Sequence, residues 1–283
     1  MRYDKQRAQP HLLSVKNKLA LHTWTLDSTP LGELLNVARS TGWDAVELRR
    51  LDFERAEADG QSEEQVLDLL RACALPVSAV GVTSGWMLAR GSAREHLLEI
   101  FTRSCVAAAS LDCAIVMSPV DKERGDPRQA ATSVREVGDI AARYGVRIAL
   151  EFNSQAAQFN SLASVREVLA MADHPACGLL LDTYHLQRSG CGGRGFAQVA
   201  PEEIAYVQYS DVPSAGLQQG NTLDRVPPGR GCVAFGEVFG LLAEKGYAGP
   251  LSYEAPNPTA WTRDPAEVAR EALLATRALL ATA

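Results

Sequence analysis

Eight short apolar runs alternate with longer amphipathic stretches along nearly the whole of this 283-residue chain. The runs are Leu19–Trp24, Ala45–Leu48, Val77–Val82, Ala114–Met117, Arg147–Glu151, Gly178–Asp182, Ile204–Tyr209 and Pro250–Glu254. Continuous rather than alternating hydrophobicity suits parallel strands buried on both faces. Between them lie helix candidates: Leu31–Ser40, Ser62–Cys73, Ala93–Ser110, Pro127–Tyr144, Leu162–Ala172, Phe235–Lys245 and Pro265–Leu280, with a short one expected over Phe196–Ala200. Ser62-Glu-Glu-Gln65 has the capping-box pattern. Gly42, Gly145 and Gly246 stand just past helix ends, where a left-handed residue is needed. Eight βα units predict a single-domain α/β protein, a (β/α)8 TIM barrel over residues 19–283 behind an N-terminal tail of residues 1–18. An open doubly wound sheet is the alternative, weakened by the lack of a Gly-x-Gly-x-x-Gly turn after the first strand.

The second informative feature is how the later strands stop. Glu151, Asp182, Gln208 and Glu254 stand at the ends of strands five, six, seven and eight. Strand C-termini surround one mouth of a βα-barrel, where active sites are built. Any one of these residues alone would read as a helix cap or loop residue. Four at equivalent positions point to a shared site of three carboxylates and one amide oxygen. Such an all-oxygen set suits a hard divalent ion (Mn2+, Mg2+ or Co2+). His185 follows Asp182 by three residues and is placed to turn back over the mouth as an acid/base or a donor to a substrate oxygen. Arg225 lies in the stiff loop Asp224-Arg-Val-Pro-Pro-Gly-Arg-Gly231, where a guanidinium can clamp a substrate group. His22 and Trp24 on strand one, Glu47 on strand two and Trp86 after strand three complete the substrate-binding candidates. They are a hydrogen-bonding rim and an aromatic floor suited to a polyol. For Glu47, a salt bridge inside the mouth is an equal reading.

Several function classes are excluded by pattern. The net charge is −6 with no basic run, so no nucleic-acid partner is expected. No apolar stretch reaches the length of a membrane span, and residues 1–10 are too polar for a signal peptide, which leads us to expect a cytoplasmic protein. The six cysteines form no CxxC pair and read as small buried hydrophobes. No Gly-x-Ser-x-Gly elbow, His-Glu-x-x-His or Walker loop is present. Homo-oligomerisation is left open.

At Ala149-Leu-Glu151, Leu181-Asp-Thr-Tyr-His185, Tyr206-Val-Gln-Tyr-Ser-Asp211, Asp224–Gly231 and Gly246–Glu254 the chain resembles the xylose isomerase-like TIM barrels, the sugar isomerase/epimerase superfamily. The likeness runs from about residue 19 to 280. It implies that Glu151, Asp182, Gln208 and Glu254 hold the metal, and that His185 and Arg225 contact substrate. It further implies a divalent-metal-dependent sugar isomerase or epimerase. Such an enzyme abstracts a proton next to a carbonyl through an enediolate, with Glu151 and Glu254 as base and acid and a small keto-sugar or polyol as substrate. One residue departs from the pattern. Most members place histidine where Gln208 stands, and glutamine there is similar to some 3-dehydroshikimate dehydratases. A lyase of the 3-dehydroshikimate or keto-inositol dehydratase type is therefore the alternative. A ligand-binding barrel without turnover is the second.

Overall fold

A computed structural model describes residues 17–281. Eight parallel strands close on themselves: β1 Leu19–His22, β2 Ala45–Leu48, β3 Val77–Gly81, β4 Ile115–Pro119, β5 Arg147–Glu151, β6 Cys177–Asp182, β7 Ile204–Tyr209 and β8 Leu251–Tyr253. Closure is made by β1 against β8, with Leu19 beside Leu251 and Leu21 beside Tyr253. The doubly wound alternative is thereby eliminated. The expected tail, apart from its last two residues, lies outside the described residues.

Strand periodicity decides what enters the barrel. Successive side chains face opposite ways. Ala79, Met117, Ala149, Leu180 and Tyr206 pack together as a small interior layer, separate from the larger core between strands and helices. Ile148, Leu150, Leu179, Leu181, Val207 and Tyr209 belong to that outer core. Two residues beyond Ala149, Leu180 and Tyr206, the same inward face carries Glu151, Asp182 and Gln208. Polar residues therefore form the next layer up, at the C-terminal mouth.

The outer shell comprises α1 Leu31–Thr41, α2 Arg50–Ala58, α3 Glu63–Cys73, α4 Gly91–Ser110, α5 Pro127–Arg143, α6 Leu162–Ala172, α7 Thr183–Arg188, α8 Phe235–Glu244 and α9 Pro265–Leu280. The capping box forms at α3: Ser62 Oγ accepts the Gln65 N–H at 3.3 Å, and Gln65 Oε1 accepts the Ser62 N–H at 2.7 Å. Gly42, Gly145 and Gly246 all have positive φ. Two helices, α2 and α7, were not expected. Conversely, Phe196–Ala200 forms turns instead of the expected helix. All six cysteines are free; Cys73, Cys105 and Cys113 are buried as anticipated, whereas Cys177 and Cys191 are half-buried and Cys232 is exposed. Among the described residues no helix is long and apolar enough to cross a membrane.

Candidate active site at the barrel mouth

A cavity of about 370 Å3 opens at the strand C-termini. His22, Trp24, Glu151, His185, Arg225 and Glu254 line it, joined by Arg50 at the start of α2 and by Arg49, Thr83, Ser84, Lys122 and Asn153 from the loops. Asp182, Gln208 and Glu47 are fully buried behind that lining.

Acidic groups crowd one part of the mouth. One oxygen of Glu151, one of Asp182 and one ring nitrogen of His185 all lie within 4.8 Å of one another. Arg225 reaches into the same group. Its Nη1 donates to Asp182 Oδ2 at 2.7 Å, Glu254 Oε2 at 3.0 Å and the Glu254 carbonyl at 3.2 Å. The guanidinium lies 4.3 Å over the Tyr184 ring. Burial opposes its charge, but Asp182, Glu254 and Glu151 together outweigh that and raise its pKa above the ordinary arginine value. One guanidinium does not neutralise three carboxylates. Burial, then Glu254 and Asp182, push Glu151 well above the usual carboxylate range. Burial lifts Glu254 to about 7, against the pull of Arg225.

Among the carboxylate and amide oxygens, three buried ones are left without a hydrogen-bond partner: Glu151 Oε1, Gln208 Oε1 and Glu47 Oε2. Such groups normally find partners, and leaving one unsatisfied costs about 1–3 kcal/mol. The amide of Gln208 is oriented, because its Nε2 donates to Glu47 Oε1 at 2.8 Å. Its oxygen is thus the atom left for another partner. Burial, reinforced by Glu254, raises Glu47 to about 8. At neutral pH Glu47 therefore keeps its proton. It sits beside Gln208 as an orienting neighbour, not in a salt bridge.

Backbone N–H groups orient both histidines. The Trp24 N–H donates to His22 Nδ1 at 3.0 Å, and the Ser154 N–H donates to His185 Nδ1 at 3.2 Å. A backbone N–H can only donate, so His22 Nδ1 accepts and its neutral ring carries the proton on Nε2. At His185 the Nε2 also faces Arg225 Nη2, itself a donor, at 3.5 Å. Burial, aided by Arg49 and Arg225, lowers the pKa of His22 well below the ordinary value. Burial likewise holds His185 down to about 3, Asp182 opposing and Arg225 assisting. The approaches of His22 Nε2 to Glu254 at 3.5 Å and Glu47 at 3.7 Å are accordingly not ion pairs. The same holds for His185 Nε2 near Glu151 at 3.8 Å and Asp182 at 3.9 Å.

The structure therefore brings Glu151, Asp182, Gln208, Glu254, His185, Arg225, His22 and Glu47 to one mouth, with Trp24 in the cavity wall. It does not bring Trp86 there. That indole is fully buried, donates to Ser118 Oγ at 2.9 Å and packs against Phe101. It buttresses the wall behind β3 and β4 instead of forming a floor. Asp211 is a residue whose part the sequence did not disclose. Its Oδ1 accepts the N–H groups of Val212 and Val233, and its Oδ2 those of Gly229 and Gly231, all at 2.8–2.9 Å. Those bonds close the loop carrying Arg225. Gly231 has to be glycine for this, since a Cβ there would strike the Val212 carbonyl and Asp211 itself.

A family model described as xylose isomerase-like TIM barrel matches residues 35–279. The chain belongs to that family. Among curated relatives, a 3-dehydroshikimate dehydratase of Pseudomonas aeruginosa is 27% identical over 246 residues, covering 84% of this chain. The chain spans only 38% of that relative's length. An inosose isomerase of Halalkalibacterium halodurans is 22% identical over 83% of this chain and 86% of its own. Among solved structures, an IolI protein with a bound zinc atom superposes with a TM-score of 0.84 at 20% identity, over 94% of this chain and 98% of its own. That last likeness shows the fold.

Proposed function

We propose that this chain is a divalent-metal-dependent enzyme that removes a proton next to a carbonyl in a small polyhydroxylated ketone, giving isomerisation or epimerisation. The observation that carries the reading is the buried convergence of Glu151, Asp182 and His185, together with the unpartnered oxygens of Glu151 and of Gln208 at the end of the neighbouring strand. Glu151, Asp182, Gln208 and Glu254 would hold the ion, an oxygen set that suits Mn2+, Mg2+ or Co2+. The zinc bound by the IolI neighbour is consistent with a divalent ion on this fold. When bound, the ion supplies Lewis-acid polarisation of carbonyl and hydroxyl oxygens.

The chain's own groups do the rest. Glu151 and Glu254 line the cavity and are the base and acid, since they stand at the ends of β5 and β8 and can flank a substrate held between them. His185 and the Arg225 guanidinium line the same cavity and would face oxygen atoms on which negative charge develops. Return of the proton to the opposite face epimerises the carbon. Return to the neighbouring carbon isomerises.

A second outcome, loss of a β-hydroxyl, is favoured by one residue. Gln208 stands where most members carry histidine, as in some 3-dehydroshikimate dehydratases, and a dehydratase of that name is among the relatives. Exchange of a substrate C–H in D2O, read by NMR on metal-loaded protein with an inosose and with 3-dehydroshikimate, tests the shared step. A catechol absorbance from the second compound identifies dehydration. No exchange with either compound, or full activity after metal stripping, rejects the proposal.

A further inference from the structure

Cations line the mouth as well: Arg49 after β2, Arg50 at the start of α2 and Lys122 after β4. Arg49 is spent: Nη1 pairs with Asp27 at 2.7 Å, Nη2 with Asp52 at 3.1 Å, and Nε donates to Thr23 at 3.2 Å. Arg50 is not. Its side chain is 4% exposed, and its Nη1 is buried without a hydrogen-bond partner. Its one carboxylate contact is Nη2 to Glu63 Oε2 at 3.3 Å, an oxygen that Arg103 approaches more closely from two nitrogens, at 2.6 and 3.0 Å. Lys122 has no ion-pair partner among the described residues, and Glu54, an acid on this side of the lining, is exposed. The Arg50 guanidinium also lies over the Phe53 ring at 4.9 Å. A buried guanidinium that has only this ring and a carboxylate shared with a second arginine keeps much of its charge uncompensated.

Resting on the proposed proton abstraction, we infer that the mouth contains an anion subsite, in which Arg50 and Lys122 take the carboxylate of a keto-polyol acid while its keto-alcohol end meets Glu151, Glu254 and His185. One unspent guanidinium nitrogen and one ammonium suit a monoanion with two oxygens. A phosphate dianion, with three, would ask for more donors. Within the family the substrate is then an acid, not a neutral sugar.

Binding decides this without turnover. Shikimate and its methyl ester, a carboxylate and its neutral counterpart, are titrated calorimetrically into Mn2+-loaded full-length protein. The acid is expected to bind at least about tenfold tighter, as a charge-assisted contact of this kind implies. The gap should collapse in Arg50→Gln and shrink in Lys122→Gln, an exposed position that spares the fold. Glu63→Gln cuts the tie between α2 and α3 while leaving Arg50 in place, so it should keep the gap; losing it there would mean that Arg50 is merely structural and would overturn the inference. Equal or undetectable affinities for acid and ester overturn it too, as does a gap untouched in both the Arg50 and Lys122 variants. The D2O exchange with an inosose reads the proton abstraction separately. Exchange there without a preference for acids removes the subsite and leaves the chemistry standing.

Discussion

Replacing Arg225 with methionine removes the cation at the centre of the acidic mouth. At 2.7 and 3.0 Å, and an effective dielectric of about 20, its attractions to Asp182 and Glu254 amount to about 6 kcal/mol each. Desolvation of a guanidinium only 2% exposed offsets much of this. Deleting one partner nevertheless leaves the carboxylates buried without compensation, which costs about 3–5 kcal/mol. For a chain of this size that lowers the melting temperature by about 6–15 °C. The sign of the pH dependence follows from the same contacts. Arg225 holds down the pKa of Glu254, so without it Glu254 takes up a proton more readily and the deficit shrinks as pH falls from 8 to 6. Metal-free wild type and Arg225→Met should be melted by circular dichroism at both pH values, then again at one Mn2+ concentration, about 100 times the wild-type dissociation constant. That level adds about 2.7 kcal/mol to wild type if the ion binds only the folded chain. The variant should recover more than wild type gains, because the dication then supplies the missing positive charge. A metal-free variant melting within a degree of wild type at pH 8 would refute the view that Arg225 compensates these acids.

Further outcomes follow from single residues. Asp211→Ala strands four backbone N–H groups around residues 212–233 and should cost about 3 kcal/mol in urea unfolding, with faster amide exchange at Gly229, Gly231 and Val233; unchanged exchange there would contradict its anchoring role. Glu47 has a folded-state pKa of about 8 against an ordinary value of 4.5, so the folded chain holds this proton across that window. The stability it contributes is whole below about pH 4.5 and is lost as pH rises through 8. Metal-free Glu47→Gln, with nothing to ionise, should therefore gain on wild type by up to about 5 kcal/mol between pH 5 and 9, and a pH-independent difference would contradict the assignment. Because Glu254 sits near 7 and Glu151 is also raised, metal affinity should fall by at least about tenfold from pH 7.5 to 6. Flat affinity across that range would exclude these two carboxylates as ligands.

The barrel was legible because its strands are apolar on both faces and its helices carry ordinary punctuation, as at Ser62-Glu-Glu-Gln65 and Gly42. The polar ends of β5, β6 and β7 were legible for the same reason: an inward-facing Glu, Asp or Gln interrupts a run that packing alone would keep apolar. Helix α2 escaped because its buried face includes Arg50 and Asp52, which breaks the apolar period. Helix α7 is six residues long and reads as the loop after Asp182. Trp86 looked like a mouth residue because sequence gives its distance from β3 but not the direction of its ring. The roles of Asp211 and Arg50 depend on which loop folds onto which, and no local pattern carries that. Arg225 was anticipated as a substrate clamp. It lines the cavity, yet one of its nitrogens is already engaged by Asp182 and Glu254, a consequence of how the 224–231 loop folds back over β6 and β8.

The most direct measurement is the stoichiometry and affinity of Mn2+ binding, followed by electron paramagnetic resonance, in wild type and in Glu151→Gln, Asp182→Asn, Gln208→Leu and Glu254→Gln. One ion per chain, with each substitution weakening binding by at least about tenfold, is the predicted result. Binding that survives all four changes, or wild-type protein that takes up no ion, would contradict a metal centre built from these four oxygens.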